Sequence, residues 1–175
     1  MEGRQAALFC HGISTRIGRE VSFTLFDSAD YDIVAKFEEG GVTRMVPVQL
    51  KELPPSTVNP TIELQDILDK LGEKLPDSKN LVVAIHINRA VQGLRPAELR
   101  IPTGLGEIWL YGAKDDTQQG WFLIGDMLKD ANLVSEFQYP SNVIYSAIWQ
   151  QNILGNRKGN ITLSLGSLSM FNWKP

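Results

Sequence analysis

The sequence predicts an α/β fold in which a mixed β-sheet is flanked by helices. Two segments of the chain carry apolar residues at the spacing of one helical face. Between and after them lie segments that alternate apolar and polar residues or are rich in β-branched residues, as strands are. The order over residues 1–90 is helix, three strands, helix, strand, and residues 91–175 add further strand-like runs. All 175 residues are expected to form a single domain.

A helix and three strands are predicted to open the chain. The helix ends at Gly18, and its apolar face comprises Ala6, Phe9, Cys10, Ile13 and Ile17. The three strands are predicted over residues 20–26, 32–39 and 42–50. Two glycines at positions 40 and 41 separate the last two strands, and such a pair is typical of a tight β-hairpin.

A second helix and a buried strand complete the first half of the chain. Asn59 and Pro60 suit the N-cap and the first position of this helix. Its apolar face repeats the helical spacing through Leu64, Ile67, Leu68, Leu71 and Leu75. Residues 80–88 are almost continuously apolar and β-branched, which predicts a central strand buried on both faces.

The second half of the chain has weaker patterns. Residues 107–111 and 121–124 are typical of strands, and residues 127–137 suit a short helix. Two more strands are predicted over residues 142–150 and 161–165. The four tryptophans of the chain all lie in this half, at positions 109, 121, 149 and 173. We expect them to pack the sheet core rather than to stack on nucleic-acid bases.

Composition and charge exclude several classes of protein. With 43% apolar residues and a net charge of -3, the chain is globular and does not bind polyanions through bulk charge. The single cysteine excludes an internal disulfide, and together with only two histidines it argues against a Cys/His zinc site. No apolar run approaches the roughly 18 residues of a membrane helix. The N-terminal residues lack a secretory h-region, so we expect a soluble, cytoplasmic protein without a membrane partner.

The two-glycine turn fixes which residues of the hairpin face each other. It pairs residues whose numbers sum to 81, so Asp32 faces Gln49 and Asp30 faces Lys51. Alternation places these four polar residues on one side of the sheet. The other side carries the apolar residues that can fix the hairpin against a core: Ile33, Ala35, Phe37, Val46, Val48 and Leu50.

The polar side of the hairpin has the residue types of a site for a divalent cation. Asp32 and Gln49 offer two oxygen ligands from directly opposed positions, with Cβ atoms about 5 Å apart, which suits a hard cation such as Mg²⁺. Lys51 projects from the same side, where its ammonium can orient or help deprotonate a metal-bound water. Such a water could attack a phosphodiester.

These residues and the order of the elements resemble the PD-(D/E)xK nuclease superfamily, which has the restriction-endonuclease-like fold. The resemblance covers residues 1–90 as a nuclease-like core and leaves residues 91–175 as a strand-rich C-terminal extension of the same domain. It implies that Asp32, Gln49 and the main-chain carbonyl of Leu50 bind Mg²⁺ or Mn²⁺, and that Lys51 assists the nucleophile. It further implies a nuclease that acts on DNA or RNA, and it leaves a homodimer open.

Two positions depart from the pattern of that superfamily. Tyr31 stands where the family has proline, and Gln49 stands where it has Asp or Glu. Glutamine keeps an oxygen ligand but removes one negative charge, which lowers metal affinity unless another carboxylate compensates. We therefore expect Glu2 or Glu20 to lie near Asp32.

Other interpretations remain open. The chain could be a catalytically inactive nuclease-like scaffold that binds nucleic acid or protein, with Asp30 and Lys51 in a cross-strand ion pair worth about 0.2–1 kcal/mol. A small-molecule enzyme built on a histidine has less support, because His11 lies on a predicted helix and His86 is expected to be a hydrogen-bonded core residue. A cluster of arginines could contact phosphates or could simply be solvated: Arg89, Arg95 and Arg100.

Overall fold

The computed structural model describes residues 2–26, 28–90, 94–139 and 162–163. Within these residues it contains two helices and a strongly curled mixed sheet of seven strands, with a further two-residue strand at one edge. The helices are α1 (Glu2–Ile17) and α2 (Leu64–Lys74). The strands are β1 (Val21–Leu25), β2 (Ile33–Glu39), β3 (Val42–Leu53), β4 (Ser78–Ile87), β5 (Leu105–Ala113), β6 (Gly120–Ile124), β7 (Val134–Gln138) and β8 (Thr162–Leu163). The predicted α/β class with a mixed sheet and flanking helices is confirmed.

The strands of the sheet lie in the order β7-β6-β5-β4-β3-β2-β1-β8. The central strands β3, β4 and β5 are parallel, and the remaining neighbours are antiparallel. The C-terminal half of the described chain thus extends the same sheet instead of forming a separate layer. None of the helices in the described residues is long and apolar enough to cross a membrane.

Helix α1 covers one face of the sheet. Its buried side chains pack on alternate residues of the strands, among them Val48 and Leu50 of β3 and Trp109 and Tyr111 of β5. The predicted apolar side of the hairpin is therefore confirmed as the side that packs against α1.

Helix α2 covers the opposite face and packs on the intervening strand residues. These include Leu53 of β3, Val83 and Ile85 of β4, and Leu110 of β5. Because side chains alternate along β3, Gln49 and Lys51 lie on the α2 side with Leu53, whereas Glu52 lies on the α1 side. Gln49 and Lys51 are thus on the opposite face of the sheet from Glu52.

The predicted helix over residues 127–137 is wrong. A short turn follows Asp126, and the chain then forms β7, which pairs antiparallel with β6 and buries Phe137 against α1. The Asp126 carboxylate fixes the turn by accepting hydrogen bonds from the amides of Ile108 and Leu128. Antiparallel pairing with β6 and the packing of Phe137 against α1 outweigh the helical spacing of this segment.

Other boundaries differ less from the prediction. Helix α2 begins after Glu63, whose side chain and that of Asp66 form a capping box, rather than at Pro60. Asn59 instead fixes the preceding loop, because its Oδ1 accepts hydrogen bonds from the amides of Thr61 and Ile62. Trp109 and Trp121 are buried as expected. The predicted strand over 142–150, Trp149 and Trp173 lie outside the described residues, and of the strand over 161–165 only β8 is described.

Candidate active site at the end of the hairpin

Asp32 lies one residue before β2, where the hairpin ladder ends. Its main-chain amide donates to the carbonyl of Val48 at 3.0 Å, and its carbonyl accepts from the amide of Phe26 at 2.8 Å. Its carboxylate Oδ2 accepts a hydrogen bond from the amide of Leu50 at 2.6 Å. The side chain of Asp32 thus takes the place of the next main-chain acceptor on β2, which holds the carboxylate against β3.

The predicted register of the hairpin is confirmed. Ile33 pairs with Val48 and Glu39 with Val42, and both pairs sum to 81. The pairing ends there, and Asp32 binds the residues on either side of Gln49, through its amide to the Val48 carbonyl and through its carboxylate to the Leu50 amide. The side-chain Oε1 of Gln49 is buried and has no hydrogen-bond partner among the described residues. A buried oxygen without a donor is costly, so Gln49 Oε1 is available to a ligand that can satisfy it.

Lys51 lies two residues further along β3, on the same face as Gln49. Within the described residues its ammonium makes no hydrogen bond within 3.5 Å and no ion pair within 4.0 Å. The expected pairing of Asp30 with Lys51 is wrong, because the β2–β3 register begins at Ile33 and the amide of Asp30 binds Ser28 Oγ at 3.2 Å. The side chain of Lys51 is therefore an uncommitted cation.

The main-chain carbonyl of Leu50 points to the side of β3 on which Asp32 lies. In a strand, the N–H and the C=O of one residue point to the same side. The N–H of Leu50 points to Asp32, and the ladder with β2 has ended at Val48. The carbonyl of Leu50 is consequently directed into the space beyond the start of β2, next to the Asp32 carboxylate.

The expected extra carboxylate is not supplied by Glu20. Phe26, not Glu20, lies beside Asp32, and the five residues of β1 separate Glu20 from Phe26, which makes about 20 Å of extended chain between them. Glu2 is exposed in the first turn of α1, the helix on the opposite face of the sheet from Gln49 and Lys51. In the described part of the chain no three His, Cys, Asp or Glu side chains are grouped so that they could hold a metal ion.

The oxygen atoms of Asp32, Gln49 and the Leu50 carbonyl are nevertheless of the types that bind a hard cation. A carboxylate, a side-chain amide oxygen and a main-chain carbonyl are the oxygen ligands that Mg²⁺ and Mn²⁺ take from proteins. The unsatisfied Oε1 of Gln49 is the feature that fits best, since a cation would give it the partner that the protein does not. With Asp32 as its one anionic ligand, the set would hold Mg²⁺ weakly and leave several positions to water and phosphate oxygens.

No family model matches the chain, and no curated protein or solved structure shows significant similarity to it. The resemblance to PD-(D/E)xK nucleases stays a prediction that depends on the residues and the topology of the chain itself.

Sequence reasoning missed a second polar cluster, on the α1 side of the same strand end. Glu52, the residue after Lys51, accepts hydrogen bonds from Gln5 Nε2 at 3.1 Å and from Asn88 Nδ2 at 2.6 Å. Its Oε1 lies 3.8 Å from Nδ1 of His86. Extending the alternation of β3 by one residue would have placed Glu52 on this face, but its partners come from α1 and β4.

His86 is a buried core histidine, as expected, but its Nδ1 has no hydrogen-bond partner among the residues that the structure describes. Its ring stacks between Tyr111 and Trp121, at centroid distances of 5.2 and 5.7 Å. Burial lowers the pKa of His86 to about 4, and the nearby charge of Glu52 offsets only part of that effect. The histidine is therefore neutral near pH 7, and we assign it no catalytic role.

The three arginines after β4 are already engaged. Arg89 donates to the main-chain carbonyls of Pro54, Asn59 and Ile62, so its guanidinium holds the loop before α2. Arg95 pairs with Glu98, and Arg100 pairs with Asp69, all at the surface. Exposed pairs of this kind are weak, so Arg95 and Arg100 can exchange partners with a phosphate, whereas Arg89 cannot without opening the loop.

A cavity of about 390 Å³ opens between α1 and the sheet, at the end of the strands away from Asp32. Its walls are mostly apolar and include Phe9, Ile13, Phe37 and Trp109. Charged side chains lie at its rim as an ion pair between Arg19 and Glu39. Cys10 and Glu107 also line the cavity, but burial raises the pKa of the Cys10 thiol, which keeps it protonated and a poor nucleophile. The candidate active site therefore remains at the end of the hairpin.

Proposed function

We propose that this protein is a metal-dependent phosphodiesterase that cleaves nucleic acid at the end of the hairpin. The observation that carries the proposal is a pair of uncommitted polar groups on one face of β3, on the stretch of the strand that binds Asp32. Gln49 Oε1 is buried and has no donor among the described residues, the Lys51 ammonium has no partner there, and the amide of Leu50 between them donates to the Asp32 carboxylate. Polar groups left unpaired at the end of a sheet are typical of a binding site.

The order of the elements supports the same proposal. Helix α1, the antiparallel strands β1, β2 and β3, helix α2 and the parallel strand β4 follow one another as in a restriction-endonuclease-like core. Gln49 and Lys51 lie on the strand of this core that carries the (D/E)xK motif in that superfamily, and Asp32 lies at the start of the strand before it.

Each residue would have its own task. Asp32, Gln49 and the Leu50 carbonyl would hold Mg²⁺ or Mn²⁺, and Lys51 would bind the attacking water or the phosphate through its ammonium. When bound, the cation would supply Lewis-acid activation of water and neutralise charge on the phosphate. The amide of Leu50 fixes the Asp32 carboxylate in advance, which lowers the cost of reorganisation during the reaction.

Lysine substitution tests the proposal. The purified protein, incubated with Mg²⁺ or Mn²⁺, should cleave at least one of single- and double-stranded DNA and RNA. The variant Lys51→Ala should lose cleavage by orders of magnitude and nearly keep its melting temperature, because a half-buried lysine without an ion-pair partner contributes at most about 1 kcal/mol to stability. Lys36→Ala, an exposed lysine of the neighbouring strand β2, is the matched control and should cleave normally.

The second candidate is an inactive scaffold that binds nucleic acid or protein. It is favoured by the lack, in the described residues, of any group of three His, Cys, Asp or Glu side chains that could hold a metal ion. Wild-type protein that binds nucleic acid but shows no metal-dependent cleavage of any of the four substrates would select this candidate. Sedimentation velocity on the same preparation tests the predicted homodimer.

A further inference from the structure

A pair of aromatic rings, one of them exposed, lies next to Asp32. The side chain of Phe26 is 49% exposed, and its ring centroid lies 5.3 Å from that of Tyr31, with an angle of 37° between the rings. The amide of Phe26 donates to the carbonyl of Asp32, and Tyr31 directly precedes Asp32 in the chain. Both rings are thus anchored to the residue that carries the candidate metal-binding carboxylate.

The exposure of Phe26 is unusual in this protein. Every other aromatic side chain in the described residues is buried or half-buried, and the tryptophans at positions 109 and 121 lie inside the core. Tyr31 also packs against the core on the α2 side of the sheet, and its ring contacts that of Phe26. The Phe26 ring is therefore supported by a residue that is itself fixed in the core. A phenylalanine ring that is held in place and half open to solvent is ready to stack on a flat ligand.

We propose that Phe26 and Tyr31 form a stacking platform for an unpaired nucleobase, so that the substrate of this site is single-stranded nucleic acid. This inference rests on the proposed phosphodiesterase function. In a duplex, both faces of each base are covered by its neighbours, and an aromatic side chain at the surface cannot reach them. An unpaired base exposes a π-face whatever its identity, which makes such a platform tolerant of sequence.

The neighbouring charge agrees with this substrate. Lys51 carries the uncommitted cation of the site, and a nucleotide offers a phosphate beside its base. An aromatic platform combined with a basic group is the usual arrangement of sites for single strands. A protein segment docked on Phe26 would use the same ring but would not need the ammonium group of Lys51.

The test measures binding without cleavage. Fluorescence anisotropy in EDTA compares a labelled single strand of about 15 nucleotides, poly(dT) or poly(U), with a blunt duplex of equal length. Phe26→Ala should weaken single-strand binding about tenfold to a hundredfold and leave duplex binding unchanged. Phe26→Trp should retain binding, and its added fluorescence should be quenched by the stacked base.

A matched control is Met45→Ala, which removes an exposed apolar side chain near the far end of the hairpin, with 69% of its surface in solvent. It should bind like the wild type. The inference fails if the wild type does not bind the single strand, if it binds the duplex more tightly, or if Phe26→Ala binds normally.

Separate cleavage assays keep the two proposals apart. Phe26-dependent binding without metal-dependent cleavage supports the platform and rejects the phosphodiesterase. Cleavage that requires Lys51 but is insensitive to Phe26→Ala rejects the platform and supports the phosphodiesterase.

Discussion

The carboxylate of Asp32 accepts a hydrogen bond of 2.6 Å from the main-chain amide of Leu50. This bond continues the hairpin ladder beyond the last paired residue of β2 with a side chain instead of a main-chain carbonyl. Together with the bond from the Asp32 amide to the Val48 carbonyl, it holds Asp32 against the stretch of β3 that contains Gln49. The same residue thus has a structural role and, in the proposed function, a catalytic one, and substitutions can separate the two.

Asp32→Asn and Asp32→Ala should differ in stability but not in activity. Asparagine keeps an oxygen that can accept from Leu50, so Asp32→Asn should change the free energy of unfolding by no more than about 1 kcal/mol. Alanine leaves the amide of Leu50, a buried residue, without an acceptor and should cost about 1–3 kcal/mol. Both variants should lose metal-dependent cleavage. Equal stabilities in urea unfolding would show that the hydrogen bond contributes nothing.

Substitutions of Gln49 test its unpartnered oxygen. Gln49→Leu removes a buried polar atom without a donor and should leave the protein as stable as the wild type or more stable by up to about 1 kcal/mol. Gln49→Glu places a second carboxylate beside Asp32, so the apoprotein should be less stable and Mg²⁺ should raise its melting temperature more than that of the wild type. If Gln49→Leu keeps the wild-type response to Mg²⁺, Gln49 is not a ligand.

His86 should make the protein less stable in mild acid. Its pKa is lowered from 6.5 to about 4 by burial, so below pH 6.5 the unfolded chain binds a proton that the folded protein does not. Stability is therefore complete above pH 6.5 and falls as the pH drops toward 4, with a loss of about 2 kcal/mol by pH 5.

Urea unfolding at several pH values checks this prediction. His86→Phe, which keeps a ring between Tyr111 and Trp121 but does not titrate, should flatten the dependence between pH 6.5 and 5. An unchanged slope in this variant would assign the acid sensitivity to other groups.

Two glycines of α1 test the contact with β7, the strand that replaces a predicted helix. A Cβ on Gly12 would lie 2.8 Å from Cε1 of Phe137, so Gly12→Ala should cost about 1–3 kcal/mol through overpacking. A Cβ on Gly3 would lie 3.9 Å from Leu25, an ordinary contact, so Gly3→Ala should be neutral or slightly stabilising. Equal effects of the two substitutions would contradict the packing of Phe137 on α1.

The hairpin could be predicted from sequence because its determinants are local. Gly40 and Gly41 have φ values of 58° and 79°, which other residues adopt with strain, and the turn sets the pairing of the two strands. The alternation of apolar residues then determines which side faces α1. The register from Ile33–Val48 to Glu39–Val42 followed from these two facts.

The remaining features depend on residues far apart in sequence. The Glu52 cluster needs Gln5 from α1 and Asn88 after β4, and strand β7 packs its Phe137 against Gly12 of α1. The mistaken choice of Glu20 as a metal ligand has another cause. Glu20 and Asp32 lie beside opposite ends of β1, and the order of the elements alone does not say which ends of neighbouring strands meet at a site.

The measurement that tests the proposed metal site most directly is anomalous X-ray scattering from crystals of the wild-type protein soaked in Mn²⁺. The account predicts a peak about 2.0–2.3 Å from the Asp32 carboxylate, Gln49 Oε1 and the Leu50 carbonyl, and no such peak in Gln49→Leu crystals. A saturating soak that leaves this position without anomalous density in the wild type, or a peak that persists in Gln49→Leu, would contradict it.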